Sequence, residues 1–174
     1  MTDRPQNGEY SDFYKDYVAR VPEGSVVDIL ASELSKWEQF LAEIADEQAE
    51  VRTQDGKWSI KEILGHLCDA ERIFGYRALR ISRGDPAPLA GFEQDDYVRE
   101  GNAHARSVKD LFAEFRYLRM ANIAMFRAIP KDSWVRMGTA SNVPVSVRAL
   151  AYITAGHEIR HLELLRARLT EADG

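Results

Sequence analysis

The sequence predicts an all-α protein, a four-helix bundle with long connections between helices two and three and between helices three and four. Three observations lead to this prediction. Four segments carry apolar residues at spacings of three and four, the period of an amphipathic helix. No segment alternates regularly enough to predict a strand. Two stretches rich in turn residues, 84–106 and 130–145, exceed the usual length of helix connections, and such connections often carry function.

The first long helix is predicted over residues 25–45 and the second over residues 59–83. Ser59 and Glu62 have the spacing of a capping box, and Asp55-Gly56 predicts the turn before it. The expected inward positions are Val27, Leu30, Leu34, Trp37, Leu41 and Ile44 in the first helix, and Ile63, Leu67, Ala70, Phe74 and Ile81 in the second.

The third helix is predicted over residues 107–129, with Pro130 as its stop signal, and the fourth over residues 146–170. The expected inward positions are Leu111, Phe115, Leu118 and Phe126 in the third helix, and Leu150, Ile153, Leu164 and Leu165 in the fourth. Residues 1–24 are predicted to form an N-terminal extension with a short helix over 11–20, and residues 25–174 the bundle domain.

The composition of the chain narrows the classes of function it can have. The 174 residues suffice for one domain with its own core, and a content of 45% hydrophobic and 29% charged residues is typical of a globular protein. The net charge of -5 argues against a nucleic-acid partner, which needs a clustered positive field. A local basic run is expected to be a solvated helix face; it consists of Arg72, Arg77, Arg80 and Arg83.

Three features favour a cytoplasmic location without a membrane partner. A single cysteine, Cys68, excludes an internal disulfide and suits a reducing compartment. The first ten residues lack the apolar core of a secretory signal. No apolar run approaches the roughly 18 residues that a membrane span needs.

The histidines carry the clearest functional signal. His157 and His161 are spaced i, i+4 on the apolar stripe of the fourth helix, so their imidazoles face the same side. His66 lies on the inward stripe of the second helix, between Ile63 and Ala70. Burying bare imidazoles costs free energy unless a partner satisfies them, and a divalent ion does so. Together the three histidines predict one divalent metal site with an open position for water or substrate.

Other residues have structural interpretations beside the functional ones. Taken alone, each of the three histidines also fits a satisfied core residue. His104 lies in the first long connection and is expected at the surface. Cys68 is expected to pack in the core rather than bind metal. Trp37 and Trp58 are likewise expected in the core rather than as binding platforms.

Three carboxylates are candidate catalytic residues. Glu62 and Asp69 lie at i-4 and i+3 from His66, where each can bind the ion, orient a ligand imidazole or act as a base; Glu62 has the cap as a competing role. Glu158 follows His157 in a string that matches the zinc-protease pattern H-E-x-x-H, in which it would be the general base. A peptidase is disfavoured, because the third histidine lies upstream and no sheet is predicted to align a peptide.

The two histidine-bearing motifs resemble those of a known family. The stretch 57–71 is similar to the W-S-x-x-E-x-x-x-H-L-x-D-x-E signature of the DinB-like superfamily, which includes the YfiT-like metal-dependent hydrolases. Gly156, His157 and His161 match the family's G-H-x-x-x-H helix, and the resemblance spans residues 25–170. It implies a four-helix bundle, often a homodimer, with zinc or nickel held by the three histidines.

The resemblance also bears on the reaction. Characterised relatives are transferases or isomerases that use low-molecular-weight thiols such as bacillithiol or mycothiol, so it implies a small thiol as substrate. Glu62 and Asp69 are signature positions without an assigned role. Some relatives carry a further histidine where this sequence has Arg160. For a homodimer, apolar residues expected to be exposed in the long connections would suit a partner surface; these are Phe92, Tyr97 and Trp134.

Three functional hypotheses follow. In the first, a transferase, the ion lowers the pKa of a bound thiol, the thiolate attacks an electrophile, and arginines of the long connections hold the thiol's carboxylates. In the second, a hydrolase, a metal-bound hydroxide attacks an ester or amide with Glu62, Asp69 or Glu158 as base. In the third, the ion only stabilises a non-catalytic bundle. A basic cleft favours the first, a carboxylate near the ion the second, and a closed site with a fourth protein ligand the third.

Overall fold

The computed structural model describes residues 3–52 and 56–172. Within them lie the elements α1 Lys15–Arg20, α2 Val26–Leu41, α3 Asp46–Glu50, α4 Ile60–Ser82, α5 Gln94–Glu100, α6 Val108–Ala128, β1 Met137–Ala140, β2 Val143–Ser146 and α7 Val147–Ala172. Short 3₁₀ turns cover 12–14, 103–105 and 131–133. The four predicted long helices are α2, α4, α6 and α7, which confirms the four-helix bundle, and α1 confirms the short N-terminal helix. None of the described helices is both long and apolar enough to cross a membrane.

The helix starts follow the sequence signals. At α4 the backbone N–H of Glu62 donates to Ser59 Oγ at 3.2 Å, and the N–H of Ser59 donates to Glu62 Oε2 at 2.8 Å. The capping box is therefore present, and it satisfies two backbone donors that the first helical turn leaves free. The turn before α4 was predicted at Asp55-Gly56. Gly56 has a left-handed φ of 73°, and Asp55 lies outside the described residues.

The long connection between α6 and α7 follows from the order of the helices around the bundle. α2 packs against α6, α6 against α4, α4 against α7, and α7 against α2. Helices α6 and α7 are therefore consecutive in the chain but diagonal in the bundle, so the segment between them must cross one end of it.

This crossing segment contains a β-hairpin, and the prediction that it holds no strand was wrong. β1 and β2 pair antiparallel with Ser141 and Asn142 alone between them. Both turn residues have left-handed φ values, 52° and 64°, as two-residue hairpin turns require. Gly138 of β1 lies against Ile81 of α4, whose Cγ1 is 2.5 Å from where a Cβ would be. The strands are four residues each, too short for a period-two pattern to be recognised.

Three further expectations are corrected by the packing. Trp134 is buried beside Phe126, with ring centroids 5.7 Å apart, and so does not offer a partner surface. Leu164 is 38% exposed, because α7 turns Leu162 and Leu165 inward instead. Arg77 is only 3% exposed and does not belong to a solvated face.

The core consists of two apolar clusters with a polar layer between them. One cluster holds the first half of α2 and of α7, the second half of α4 and of α6, and the hairpin. The other holds the opposite ends of the same helices. Buried polar side chains from all four long helices lie between, and we call them the central polar layer: Glu33, His66, Glu71, Arg119, His157 and Glu158.

Arg119 is the cation of this layer. Its guanidinium donates to Glu71 Oε1 at 2.6 Å and to the carbonyl of Leu30 at 3.1 Å, and it contacts the carboxylate of Glu158. Asn122 donates to the other Glu71 oxygen at 2.8 Å. Burial raises the pKa of Glu158, and the charge of Arg119 opposes this by favouring the carboxylate. One guanidinium therefore holds two buried carboxylates from different helices, which fixes α4, α6 and α7 relative to one another.

Substituting Arg119→Leu should destabilise the protein strongly, because it leaves Glu71 and Glu158 buried without a cation. We expect the free energy of unfolding to fall by about 3–5 kcal/mol in urea denaturation at neutral pH. The matched control is Arg127→Leu on the same helix, since the side chain of Arg127 is 62% exposed and lies 3.8 Å from Asp28. That variant should change stability by no more than about 0.5 kcal/mol, and equal effects of the two substitutions would contradict this account of the layer.

Helix α1 packs on α7 by a close approach at Gly156. A Cβ at this position would lie 1.9 Å from the backbone oxygen of Tyr17. Only glycine permits this contact without a shift of one helix. Helix packing therefore explains the glycine of the G-H-x-x-x-H motif. The contact brings the ring of Tyr17 against His157, at a centroid distance of 5.4 Å.

The variant Gly156→Ala should push α1 away from α7. We expect a loss of about 3 kcal/mol in the free energy of unfolding, at the upper end for overpacking, because the clash is with backbone. Gly65→Ala in α4 is the matched control, since its added Cβ meets only the Cβ of Ala103 at 3.2 Å. The control should remain within about 1 kcal/mol of the wild type, as the better helix propensity of alanine offsets the tight contact. A Gly156 variant as stable as the control would show that the close approach is not required.

Candidate metal centre

Three histidine side chains converge at the central polar layer, to which two of them, His66 and His157, belong. α4 contributes His66, and α7 contributes His157 and His161 one turn apart. His66 Nε2 lies 2.9 Å from His157 Nε2, and His161 Nε2 lies 3.2 Å from the same atom. Three nitrogens bound tetrahedrally to zinc at about 2.0–2.1 Å would be about 3.3 Å apart. The spacing therefore fits a single ion between them after a small expansion.

Hydrogen bonding alone does not satisfy this arrangement. The Nε2 of His157 has one in-plane position, occupied by either a proton or a lone pair, so it can make one aligned hydrogen bond but faces two nitrogens. The Nδ1 atoms of His66 and His161 are buried and have no hydrogen-bond partner among the described residues. An ion placed where the three Nε2 lone pairs meet gives each of these Nε2 atoms a partner, and the ring protons then lie on the Nδ1 atoms. The donor set of three neutral nitrogens can thus hold one divalent metal ion.

Burial keeps the three imidazoles neutral. It lowers the pKa of His66 to about 4 and, with the nearby charges of His66 and Arg160 adding to it, that of His161 to about 3. The pKa of His157 falls well below its ordinary value, chiefly through burial and then through the two other histidines. Neutral imidazole is the form that binds metal, so the ligand atoms are ready without loss of a proton.

Aromatic rings surround the histidines and fix their orientation. Tyr17 and Phe74 meet the His157 ring edge-on, at centroid distances of 5.4 and 5.8 Å. Trp58, half-buried, lies 4.8 Å from the His66 ring and is stacked on His161 at 6.5 Å. Trp58 was expected only as a core residue; its indole also forms one wall of this site. No carboxylate or thiol of the described residues joins the histidine group as a fourth ligand.

A cleft of 440 Å³ opens beside His66 and His157. Its size suits a small-molecule ligand. Aromatic rings make up much of its lining: Phe13, Tyr14, Tyr17, Phe74 and Phe92. Its other polar residues are Glu93, Gln94, Ser141 and Arg160. A molecule in the cleft can therefore contact His66 and His157.

The three candidate carboxylates do not join this cleft. Glu62 is engaged in the capping box and accepts a hydrogen bond from Arg52 at 3.0 Å. Burial alone would raise its pKa, but Arg52 and the N–H of Ser59 lower it below the usual value. Asp69 lies with Glu62 on a separate 100 Å³ cavity that touches His66 from another side, and burial raises its pKa. Glu158 is fully buried and faces Arg119.

Two further residues singled out in the sequence, His104 and Cys68, lie outside the site. His104 is exposed, as expected. Cys68 is buried, with Sγ 3.7 Å from the carbonyl of Leu111. Burial raises the pKa of its thiol to about 12, which makes it unreactive. Both residues lie apart from the histidine group.

Sequence reasoning missed the contribution of the N-terminal helix and the hairpin to the cleft. Phe13, Tyr14 and Tyr17 place three aromatic rings within five residues, which was the available signal for a packed surface. Arg160, between the two histidines of α7, was noted only for its departure from the family pattern. Ser141 enters the cleft through the hairpin turn, and no local pattern indicated that.

Comparisons with known proteins agree with this architecture. The chain is similar over its length to YfiT from Bacillus subtilis, described as a probable metal-dependent hydrolase with an unusual four-helix bundle topology; the TM-score is 0.71 at 13% identity, covering 98% of this chain and 91% of that one. A search of curated proteins gives no match. The family model of the DinB superfamily matches residues 30–165. With its bundle, its motifs and its histidine group in that span, the chain belongs to the DinB superfamily.

Proposed function

We propose that the protein is a metal-dependent enzyme that transfers a low-molecular-weight thiol to an electrophile. One observation carries the proposal: three Nε2 atoms converge with no fourth protein ligand among the described residues, and a cleft opens beside them. Structural metal sites close their coordination with protein ligands, whereas catalytic sites keep a position open. Zinc or nickel suits three imidazole nitrogens, and His66, His157 and His161 would hold it.

The bound ion would supply one thing, a lowered pKa for the nucleophile beside it. The chain supplies the rest. The histidines give neutral nitrogens, and the rings of Tyr17, Phe74 and Trp58 hold them and limit the access of water. Arg160 places a guanidinium on the lining of the cleft.

The scarcity of carboxylates on the described lining of the cleft favours a thiol as the nucleophile. Among the described lining residues, Glu93 is the one carboxylate of the cleft, and its side chain is exposed. A thiol has an intrinsic pKa near 8.5 and reaches the thiolate with little help. The sulfur would form a bond to the electrophilic carbon, the carbon's bond to its leaving group would break, and the thiol proton would pass to solvent.

Hydrolysis is the second candidate. It is favoured by the similarity to YfiT, which is described as a probable metal-dependent hydrolase and has the same fold. In this alternative, water takes the place of the thiol, and Glu93 is the carboxylate in the cleft that would accept its proton. A role for Glu62, Asp69 or Glu158 as the general base stays a prediction. It requires a route by which a proton can pass from the cleft to their separate positions.

A paired assay separates the two candidates. Protein loaded with zinc or nickel is incubated with 1-chloro-2,4-dinitrobenzene and a thiol, using bacillithiol, mycothiol and cysteine in turn. We expect thioether formation and chloride release above the rate with metal-free protein, and a return to the metal-free rate in His161→Ala. The matched control is His104→Ala, which removes an exposed histidine outside the site and should retain the full rate.

The same preparations are tested with p-nitrophenyl acetate and no thiol. Metal-dependent release of p-nitrophenol without any thiol reaction would overturn thiol transfer in favour of hydrolysis. Metal binding without either reaction across these probes would support the non-catalytic alternative.

A further inference from the structure

The cleft beside the histidines has two arginines at its wall, one on the lining and one behind it, in a chain of net charge -5. Arg160 lies on its lining, and its Nη1 donates to the hydroxyl of Tyr17 at 3.1 Å. The nearest carboxylate is Asp16, whose Oδ2 is 3.9 Å from Arg160 Nε and already accepts a hydrogen bond from Arg20 at 3.0 Å. The guanidinium of Arg160 therefore has hydrogen-bond donors free, and its side chain is 43% exposed.

Arg77 adds a second, deeper cation behind the same wall. Its Nη2 donates to the carbonyl of Ala90 at 2.8 Å and to Ser141 Oγ at 2.9 Å. No carboxylate of the described residues lies within ion-pair distance of it, although it is almost completely buried. Burial accordingly lowers the pKa of Arg77, whereas the pKa of Arg119 is raised by its two carboxylates despite complete burial.

A buried cation without a carboxylate beside it, such as Arg77, or a half-buried one with a single carboxylate at 3.9 Å, such as Arg160, attracts an anion more strongly than a solvated cation does. The walls of the cleft are aromatic, and charges interact more strongly beside such a low-dielectric surface than in open water. Among the lining residues that the structure describes, the one opposing charge is that of Glu93, whose side chain is exposed. A guanidinium also matches a carboxylate geometrically, because both are planar and form paired hydrogen bonds.

We propose that the cleft binds a carboxylic acid with an apolar, planar body, and that Arg160 and the Tyr17 hydroxyl receive its carboxylate. The aromatic rings contact the body of the molecule, and Arg77 adds positive potential from behind Ser141. The far end of the molecule then faces His66 and His157. Naming this acid as a substrate rests on the proposed function; its binding through Arg160 does not.

The test compares two probes of the same shape, phenylacetate and the neutral phenylacetamide, by isothermal titration calorimetry. Both are titrated into metal-free and zinc-loaded protein. We expect wild-type protein to bind phenylacetate about ten-fold or more tightly than phenylacetamide in both forms, as a charge-assisted hydrogen bond predicts. Arg160→Gln should abolish this preference, and Arg160→Lys should retain part of it.

Arg166→Gln is the matched control, because Arg166 is an exposed arginine of the same helix and does not line the cleft. It should bind both probes like the wild type. The metal-free titration separates this proposal from direct binding of the carboxylate to zinc. A preference that disappears without zinc and survives in Arg160→Gln would overturn the proposal while supporting a metal site.

Equal affinities for the two probes in the wild type, or no binding of phenylacetate in the millimolar range, would also overturn it. Binding to metal-free protein that depends on Arg160 would support the carboxylate site even if zinc never binds. Failure of the proposed function and failure of this inference are thus distinguishable.

Discussion

Three imidazole nitrogens that face one another inside a buried layer set the main constraint on this protein. Polar atoms in an apolar core cost free energy unless partners satisfy them, and His157 Nε2 faces two nitrogens at 2.9 and 3.2 Å with one in-plane position to offer. One ion resolves the arrangement. The bundle must therefore keep α4 and α7 at a fixed separation and rotation, and the buried contacts of Arg119 with Glu71 and Glu158 hold these same helices beside the histidines.

The periphery of the site depends on the same helices. The close approach at Gly156 brings α1 onto α7 and sets Tyr17 against both His157 and Arg160. On the other wall, Arg77 ties the loop at Ala90 and the hairpin turn at Ser141 to α4. The cleft is thus assembled from segments far apart in the chain, each anchored to a helix that carries a histidine.

Much of the fold could be predicted from the sequence, because the four long helices carry apolar residues at helical spacings and α4 and α6 begin at capping serines. The same periodicity placed His66, His157 and His161 on inward faces, so the convergence of their side chains was within reach of pattern reasoning. The hairpin was not, since two four-residue strands give too short a pattern and their pairing depends on packing against Ile81. The lining of the cleft escaped prediction for a similar reason, as it comes from tertiary contacts.

The burial of charged residues was even harder to predict from the sequence. Arg77 belongs to a run of arginines that local pattern assigns to solvent, yet the loop and the hairpin cover it. Glu158 occupies the position of the general base in the zinc-protease pattern. Because it is one residue after His157, it lies on a different face of α7 and contacts Arg119 instead of the histidine group. Whether a charged side chain meets water or a partner is decided by helices that local sequence does not reveal.

The most direct test of the central claim is the metal content of protein purified without an affinity tag, measured by elemental analysis. One equivalent of zinc or nickel in the wild type, lost in His161→Ala and retained in His104→Ala, is the result this account predicts. Wild-type protein that holds no metal, even after zinc or nickel is added, would contradict it and leave three packed histidines in a helical bundle.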